Sequence, residues 1–222
     1  MKIGIIITGI ICDYYVDDII NHYKNCPYDK IISTWNYIDD NIITKLKDNS
    51  FLIVQSDFGN IHPSSANYQN FSTEKGIILA ESLNITHVLR VRADMYCSNI
   101  VRLLEIYKNI YQENKMIFLL HFHNYAPGYL VDPVHFGSIF DTKKYIYHYQ
   151  SSNDTRFSEL FRQDMCYGTN DFNIINKDVI YSGDKLLNEN IDFHFLKHKY
   201  INEKNWIQKL VQYNNDMGFY SF

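Results

Sequence analysis

Cysteine pairs, Pro/Gly/Ser-rich linkers, basic stripes and long apolar runs are all missing from this chain, and each absence excludes a class of protein. The four cysteines, Cys12, Cys26, Cys97 and Cys166, are scattered, with no CxxC pair and no zinc-ligand spacing. They read as reduced, packed thiols of a cytosolic protein rather than as a disulfide framework. With no linker, internal repeat or low-complexity tract, the 222 residues fit one domain, residues 1–222. A chain of this size buries about 70% of the surface it exposes when unfolded, so it needs no staple.

Basic residues number 21 against 25 acidic ones, for a net charge of −4, and the longest basic cluster is Lys197, His198 and Lys199. A general nucleic-acid binder needs a basic stripe to neutralise phosphates, so nucleic acid is not an expected partner. The apolar run from Ile3 to Ile11 is too short to span a bilayer, is broken by Gly4, Thr8 and Gly9, and meets Asp13 without a cleavage site. It reads as a buried first strand, and no other stretch could cross a membrane. The expected location is the cytoplasm (the host's, for a viral protein), in solution or at a membrane surface.

Several nucleotide and catalytic signatures are also lacking. There is no GxGxxG, no GxSxG and no HExxH, and the Gly4–Gly9 spacing lacks the Lys-Ser/Thr of a phosphate loop. His194 and His198, and His121 and His123, have pairwise metal-ligand spacing but no third ligand, so they read as structural or exposed histidines.

What is present is alternation. Lys2–Ile10, Lys30–Thr34, Phe51–Gln55, His87–Val91 and Met116–Leu120 are short apolar runs expected to be buried strands. Helical patterns lie between them, at Tyr15–Asn25, Asn41–Lys47 and Asn67–Leu83. A further stripe of Ile100, Leu103, Leu104, Tyr107, Ile110 and Tyr111 marks the clearest helix. Strands alternating with helices imply an α/β fold with a mostly parallel central sheet flanked by helices. Beyond Leu120 the pattern loosens: a loop over His121–Asp132, a strand at His135–Asp141, and helices at Phe157–Tyr167 and Asn205–Tyr213 are expected.

In parallel sheets ligands bind beyond the C-terminal strand ends. That directs attention to Thr8-Gly9, Ser33-Thr34-Trp35, Gln55-Ser56-Asp57 and Arg92-Ala93-Asp94, polar clusters where apolar runs stop. Trp35 fits either the core or the wall of such a site. Asp94 could hold a divalent cation that stabilises the charge left on a departing diphosphate, with Arg92 forking onto a phosphate. The competing reading is a solvated strand end with a surface ion pair. Asn67, Gln69, Ser72, Thr73 and Gly76 surround a helix start suited to phosphate or to a base, or simply to capping. Asp132, Glu159 and Asp164 are carboxylates placed for acid–base work on a hydroxyl acceptor, or else a solvated face.

The order of these pieces resembles the WavE-type lipopolysaccharide-synthesis family of glycosyltransferases and its GT-A-like relatives, some of them viral. The resemblance rests on Ile32-Ser33-Thr34-Trp35, Asn67-x-Gln69 with Ser72-Thr73 and Gly76, Val88 to Asp94, and Asp132 with Phe136-Gly137 and then Glu159. It covers roughly residues 3 to 165. It implies a GT-A-like fold that moves a sugar from a nucleoside diphosphate sugar to a glycan or glycolipid acceptor. Residues 1–120 would then bind the donor and 121–222 the acceptor. Thr8, Gly9, Thr34, Asn67, Gln69 and Arg92 would line the donor, Asp94 would hold Mn²⁺ or Mg²⁺, and Asp132 would bind the acceptor. Asp164 would be the base, with Glu159 in reserve. The usual DxD has acidic residues at both ends, whereas Arg92-Ala93-Asp94 has only the second, which leaves metal dependence open. The alternative is a catalytically silent nucleotide- or sugar-binding module on the same fold. A nucleotidyltransferase fits less well, because Ile10-Ile11-Cys12-Asp13 is not a Gly- and Lys/Arg-rich loop.

Overall fold

The computed structural model describes residues 1–13, 16–57, 65–111, 113, 116–120, 130–151, 191 and 193–195. The first strand, β1 (Ile3–Thr8), is buried at every position. Its isoleucines divide by parity, as side chains of a strand must. Ile5 and Ile7 join one core cluster and Ile6 the other. Four neighbouring strands run parallel, β3 (Leu52–Ser56), β2 (Asp29–Trp35), β1 and β4 (His87–Arg92). Beside β4 the sheet continues with β7 (Leu130–Ser138), antiparallel to it, and then β6 (Ile117–Leu120), antiparallel to β7. The order across this six-stranded sheet is β3-β2-β1-β4-β7-β6.

Helices cover both faces. On the Ile5/Ile7 side lie α1 (Val16–Tyr23), α2 (Asp40–Asp48) and α4 (Ile100–Ile110), which contribute Ile19, Leu46, Leu103 and Tyr107 to the larger core. On the Ile6 side lie α3 (Ser65–Ser82) and α5 (Ile139–Ser151), which contribute Ile77, Ala80, Tyr145 and Ile146. Each fully buried side chain of this kind is worth roughly 1.5–3 kcal/mol. Asp39 caps α2 by accepting from the Asn41 N–H, and Asn99 caps α4 by accepting from Arg102. No helix among the described residues is long and apolar enough to cross a membrane. A second, two-stranded sheet pairs β5 (Met95–Cys97) with β8 (Phe193–Phe195), so a late segment returns to lie beside the strand that follows Asp94.

The architecture is the α/β class expected, with three local differences. β3 is an edge strand with Leu52 exposed rather than a strand buried on both faces, because among the described residues only β2 pairs with it. Leu130 to Asp132 belong to β7 rather than to a loop, and that strand stops at Ser138 instead of running to Asp141. From there α5 begins: the Ser138 hydroxyl accepts from the Asp141 N–H at 3.0 Å and donates to the Asp141 carboxylate at 2.6 Å. Ser138 is thus the N-cap of α5, and this cap turns an apolar stretch that reads as strand into a helix. The expected helices at Phe157–Tyr167 and Asn205–Tyr213 lie outside the described residues.

The approach of α3 to the sheet is set by Gly76. A Cβ there would sit 2.5 Å from Ile6 Cγ2 and 3.3 Å from Ser33 Cβ. Overpacking costs about 1–3 kcal/mol against roughly 1 kcal/mol gained in helix propensity, so Gly76→Ala is expected to lower stability by about 1 kcal/mol in urea unfolding.

At the opposite end of the sheet His87 lies against Tyr111 and Phe136, and its Nδ1 is 2.9 Å from the Thr86 hydroxyl. Burial, helped by the chain's N-terminal ammonium and opposed by Asp141, holds its imidazole below the ordinary value. The fold therefore favours neutral His87. Its contribution is complete above about pH 6.5, the unfolded value, and is lost as pH falls through the lower folded one. The stability gap between the wild type and His87→Gln should accordingly narrow between about pH 7.5 and about pH 5 in urea titrations, because only the wild type must charge this site on unfolding.

Candidate functional site

The C-terminal ends of β1, β2 and β4 meet at one edge of the sheet. Thr8 pairs with Ser33 on one side and Arg92 on the other, so the three strands stop nearly level. Gly9 follows β1 with φ +120°, a region L side chains rarely adopt. A Cβ on Gly9 would make only ordinary contact with Ala93, so the demand for glycine here is conformational rather than steric. Three hydrogen bonds tie this turn down. Gly9 N–H donates to the Ser33 carbonyl at 3.2 Å, Ala93 N–H donates to the Thr8 carbonyl at 2.8 Å, and the Thr34 hydroxyl donates to the Gly9 carbonyl at 2.8 Å.

Beneath this turn, on the α3 face, lies a polar layer. Ser33 and Ser72 exchange hydroxyl-to-carbonyl bonds of 2.6 and 2.8 Å, which lock α3 to β2. Arg90 is buried, 1% exposed, although it sits in the middle of β4. Its Nε donates to the Thr8 hydroxyl at 2.9 Å, and Nη2 donates to Gln69 Oε1 at 3.2 Å. The Thr8 hydroxyl passes its own proton to the Val91 carbonyl at 3.4 Å.

Just above, Arg92 forks onto Asp94. Nε meets one carboxylate oxygen at 2.8 Å and Nη2 the other at 2.7 Å, with the side chains 31% and 25% exposed. The ion pair weighed for this strand end is thus present, in its bidentate form. No group of three His, Cys, Asp or Glu side chains able to hold a metal exists among the described residues. A lone carboxylate still suits Mg²⁺ or Mn²⁺ where a diphosphate and waters complete the shell. Such an ion would have to share or displace the Arg92 fork.

The structure therefore brings Thr8, Gly9, Thr34, Gln69, Arg92 and Asp94 to one edge. Thr8 and Thr34 arrive there buried, with their hydroxyls engaged inside the protein. Trp35 is core, stacked 6.2 Å from Phe71. Asn67 lies in the first turns of α3 and Asp132 in β7, on the strand-end side of the Val91–Val134 pair, but the side chains of both fall outside the described set. Glu159 and Asp164 lie outside the described residues altogether. Arg90 lies inside β4 rather than in a strand-end cluster, and sequence reasoning assigns it no role. Its signal was a charged residue inside the apolar run His87–Val91, where only a partnered cation can be buried.

No protein-family model and no curated protein matches the chain. Solved structures that resemble it do so distantly. A cytidylyltransferase from Leptospira borgpetersenii serovar Hardjo-bovis is 15% identical with TM-score 0.47, covering 80% of this chain and 77% of that one. A glycosyltransferase involved in glycosylation of the major capsid of PBCV-1 is 10% identical with TM-score 0.47, covering 82% and 81%. A nucleoside-diphosphate-sugar pyrophosphorylase from Vibrio cholerae RC9 is 10% identical with TM-score 0.41, covering 75% and 88%. The WavE-type resemblance has no matching family model behind it and stands on its sequence motifs.

Proposed function

We propose that this chain is a GT-A-like glycosyltransferase that moves a sugar from a nucleoside diphosphate sugar to a glycan or glycolipid acceptor. The observation that carries this reading is the Arg92–Asp94 fork beside the Gly9 turn, at the C-terminal edge of parallel strands. Such an edge receives ligands, and the glycine turn lets a ligand approach backbone closely. Arg92 would take a phosphate oxygen and Asp94 would hold Mn²⁺ or Mg²⁺. That ion, when bound, would supply charge stabilisation to the leaving diphosphate. Thr8 and Thr34 would act indirectly, by holding Arg90 and the Gly9 carbonyl. Asn67 and Gln69 would face the nucleoside and Asp132 the acceptor.

In an inverting transfer the acceptor hydroxyl oxygen bonds to the anomeric carbon while its proton passes to a carboxylate. The bond from that carbon to the diphosphate breaks, and the nucleoside diphosphate leaves. Asp164 is our choice for the base, with Glu159 in reserve. One observation favours a second reading, a silent nucleotide- or sugar-binding module: both oxygens of Asp94 are already engaged by Arg92.

The deciding assay is release of nucleoside diphosphate from a panel of nucleotide sugars, with glycan acceptors and Mn²⁺ present. Asp94→Asn should reduce release by at least about 10²-fold, the scale of losing one preorganised charge-stabilising group, with the urea midpoint little changed. Full turnover in EDTA would remove the metal from the mechanism and leave Arg92 as the phosphate stabiliser. No release with any donor, together with retained nucleotide binding, would establish the silent module instead.

For the base, Asp164→Asn should abolish transfer while donor affinity stays as in the wild type. Glu159→Gln should do so only if the reserve assignment is the right one. Retention of anomeric configuration, read from the product by NMR, would remove the need for either carboxylate as a base.

A further inference from the structure

We propose that Arg90 is a positioning residue that fixes the side-chain amide of Gln69 with its nitrogen outward, so that Gln69 recognises an acceptor oxygen of the bound nucleotide. This deepens the glycosyltransferase reading and rests on it. The argument begins with donor and acceptor chemistry. A guanidinium carries only N–H donors. The Gln69 atom that faces Arg90 Nη2 at 3.2 Å must therefore be the amide oxygen. The usual ambiguity between the two ends of a glutamine amide is removed here by the partner's chemistry. The NH₂ group, with two donors, is then the end not engaged by Arg90, and no hydrogen bond joins it to a described residue. Gln69 is half-buried, so part of the residue remains open to solvent.

Arg90 itself is held rigidly. It is 1% exposed, and its Nε is anchored on the Thr8 hydroxyl at 2.9 Å. That hydroxyl is anchored in turn on the Val91 carbonyl. Thr8 is the last residue of β1 and Gln69 lies in the early turns of α3, so the chain Thr8–Arg90–Gln69 spans the edge where Gly9, Arg92 and Asp94 meet. Arg90 and Arg92 share one face of β4, because strand side chains alternate. A buried positive charge behind the amide oxygen polarises the amide and strengthens its N–H donors. The group this site selects is thus an acceptor: a carbonyl oxygen of the base or an oxygen of the diphosphate.

The test is nucleotide affinity, measured by calorimetry on the full chain with UDP, CDP, GDP and ADP. Pyrophosphate alone and the free nucleosides serve as arms that separate the two sources of oxygen. Gln69→Glu keeps a partner for Arg90 but presents only acceptors outward. It should bind the preferred nucleotide at least about tenfold more weakly, the scale of one lost hydrogen bond turned repulsive, without a lower melting temperature. The arm that weakens, nucleoside or pyrophosphate, identifies the oxygen that is read. Arg90→Lys should weaken binding in the wild-type background and have little further effect in a Gln69→Met background, because its action passes through Gln69. Wild-type affinity in both Gln69→Glu and Gln69→Met would overturn the proposal while leaving the glycosyltransferase reading intact. So would an equal loss from Arg90→Lys in both backgrounds. Failure of the wild type to bind any of these nucleotides would overturn the glycosyltransferase reading, and this inference with it.

Discussion

Everything at the candidate site depends on the parallel register between β1 and β4, which pairs Ile3 with His87 and runs unbroken to Thr8 with Arg92. Both strands are buried, and a slip of β4 by one residue against β1 would turn each β4 side chain to the other face of the sheet. Val88 and Arg90 would then face the helices of the larger core, and Leu89 and Val91 would face α3. The apolar residues could tolerate this in part. Arg90 could not, because its charge would lose the Thr8 and Gln69 oxygens that make its burial possible. One buried cation thus helps select the register that carries the whole edge.

The same edge needs α3 at close range. Gly76 lets the helix descend onto Ile6, and the Ser33–Ser72 exchange fixes its position along β2. Without that approach Gln69 would not come within hydrogen-bond distance of Arg90. Small residues in the middle of α3 and a charged residue in the middle of β4 are therefore two halves of one packing solution. Both look unfavourable when each segment is taken alone.

That coupling explains what the sequence does and does not disclose. β1, β2, β4 and α4 are legible, because burial on both faces or along one stripe leaves a periodic apolar pattern. Gly9, Arg92 and Asp94 are legible as well, since they fall where those patterns stop. Beginning α5 at Ser138 is harder to read. Its N-cap, Ser138 bonded to Asp141, sits inside the stretch His135–Asp141, whose β-branched and aromatic residues mimic a strand. The antiparallel direction of β7 leaves no local trace at all, because strand direction is a property of connections and not of side chains. The engagement of Thr8 and Thr34 is invisible for a related reason: a residue type does not disclose which of its hydrogen bonds the fold already uses.

The Arg92–Asp94 fork is where these constraints meet the proposed chemistry. At rest the two charges neutralise each other, which makes a half-buried pair tolerable at a strand end. In the proposed reading a diphosphate and a divalent ion bring opposite charges of comparable size to the same edge. The carboxylate can exchange its guanidinium for the ion, and the guanidinium can exchange its carboxylate for a phosphate, with the local charge nearly balanced throughout. An arginine in the first position of the motif, where two acidic ends are usual, then has a physical role. It keeps Asp94 from standing as an uncompensated charge when no ligand is bound, and it becomes a phosphate contact when one is. This exchange needs a rigid frame on which only the fork moves. Arg90, Thr8 and the Gly9 turn, all tied by hydrogen bonds to the ends of β1, β2 and β4, supply that frame.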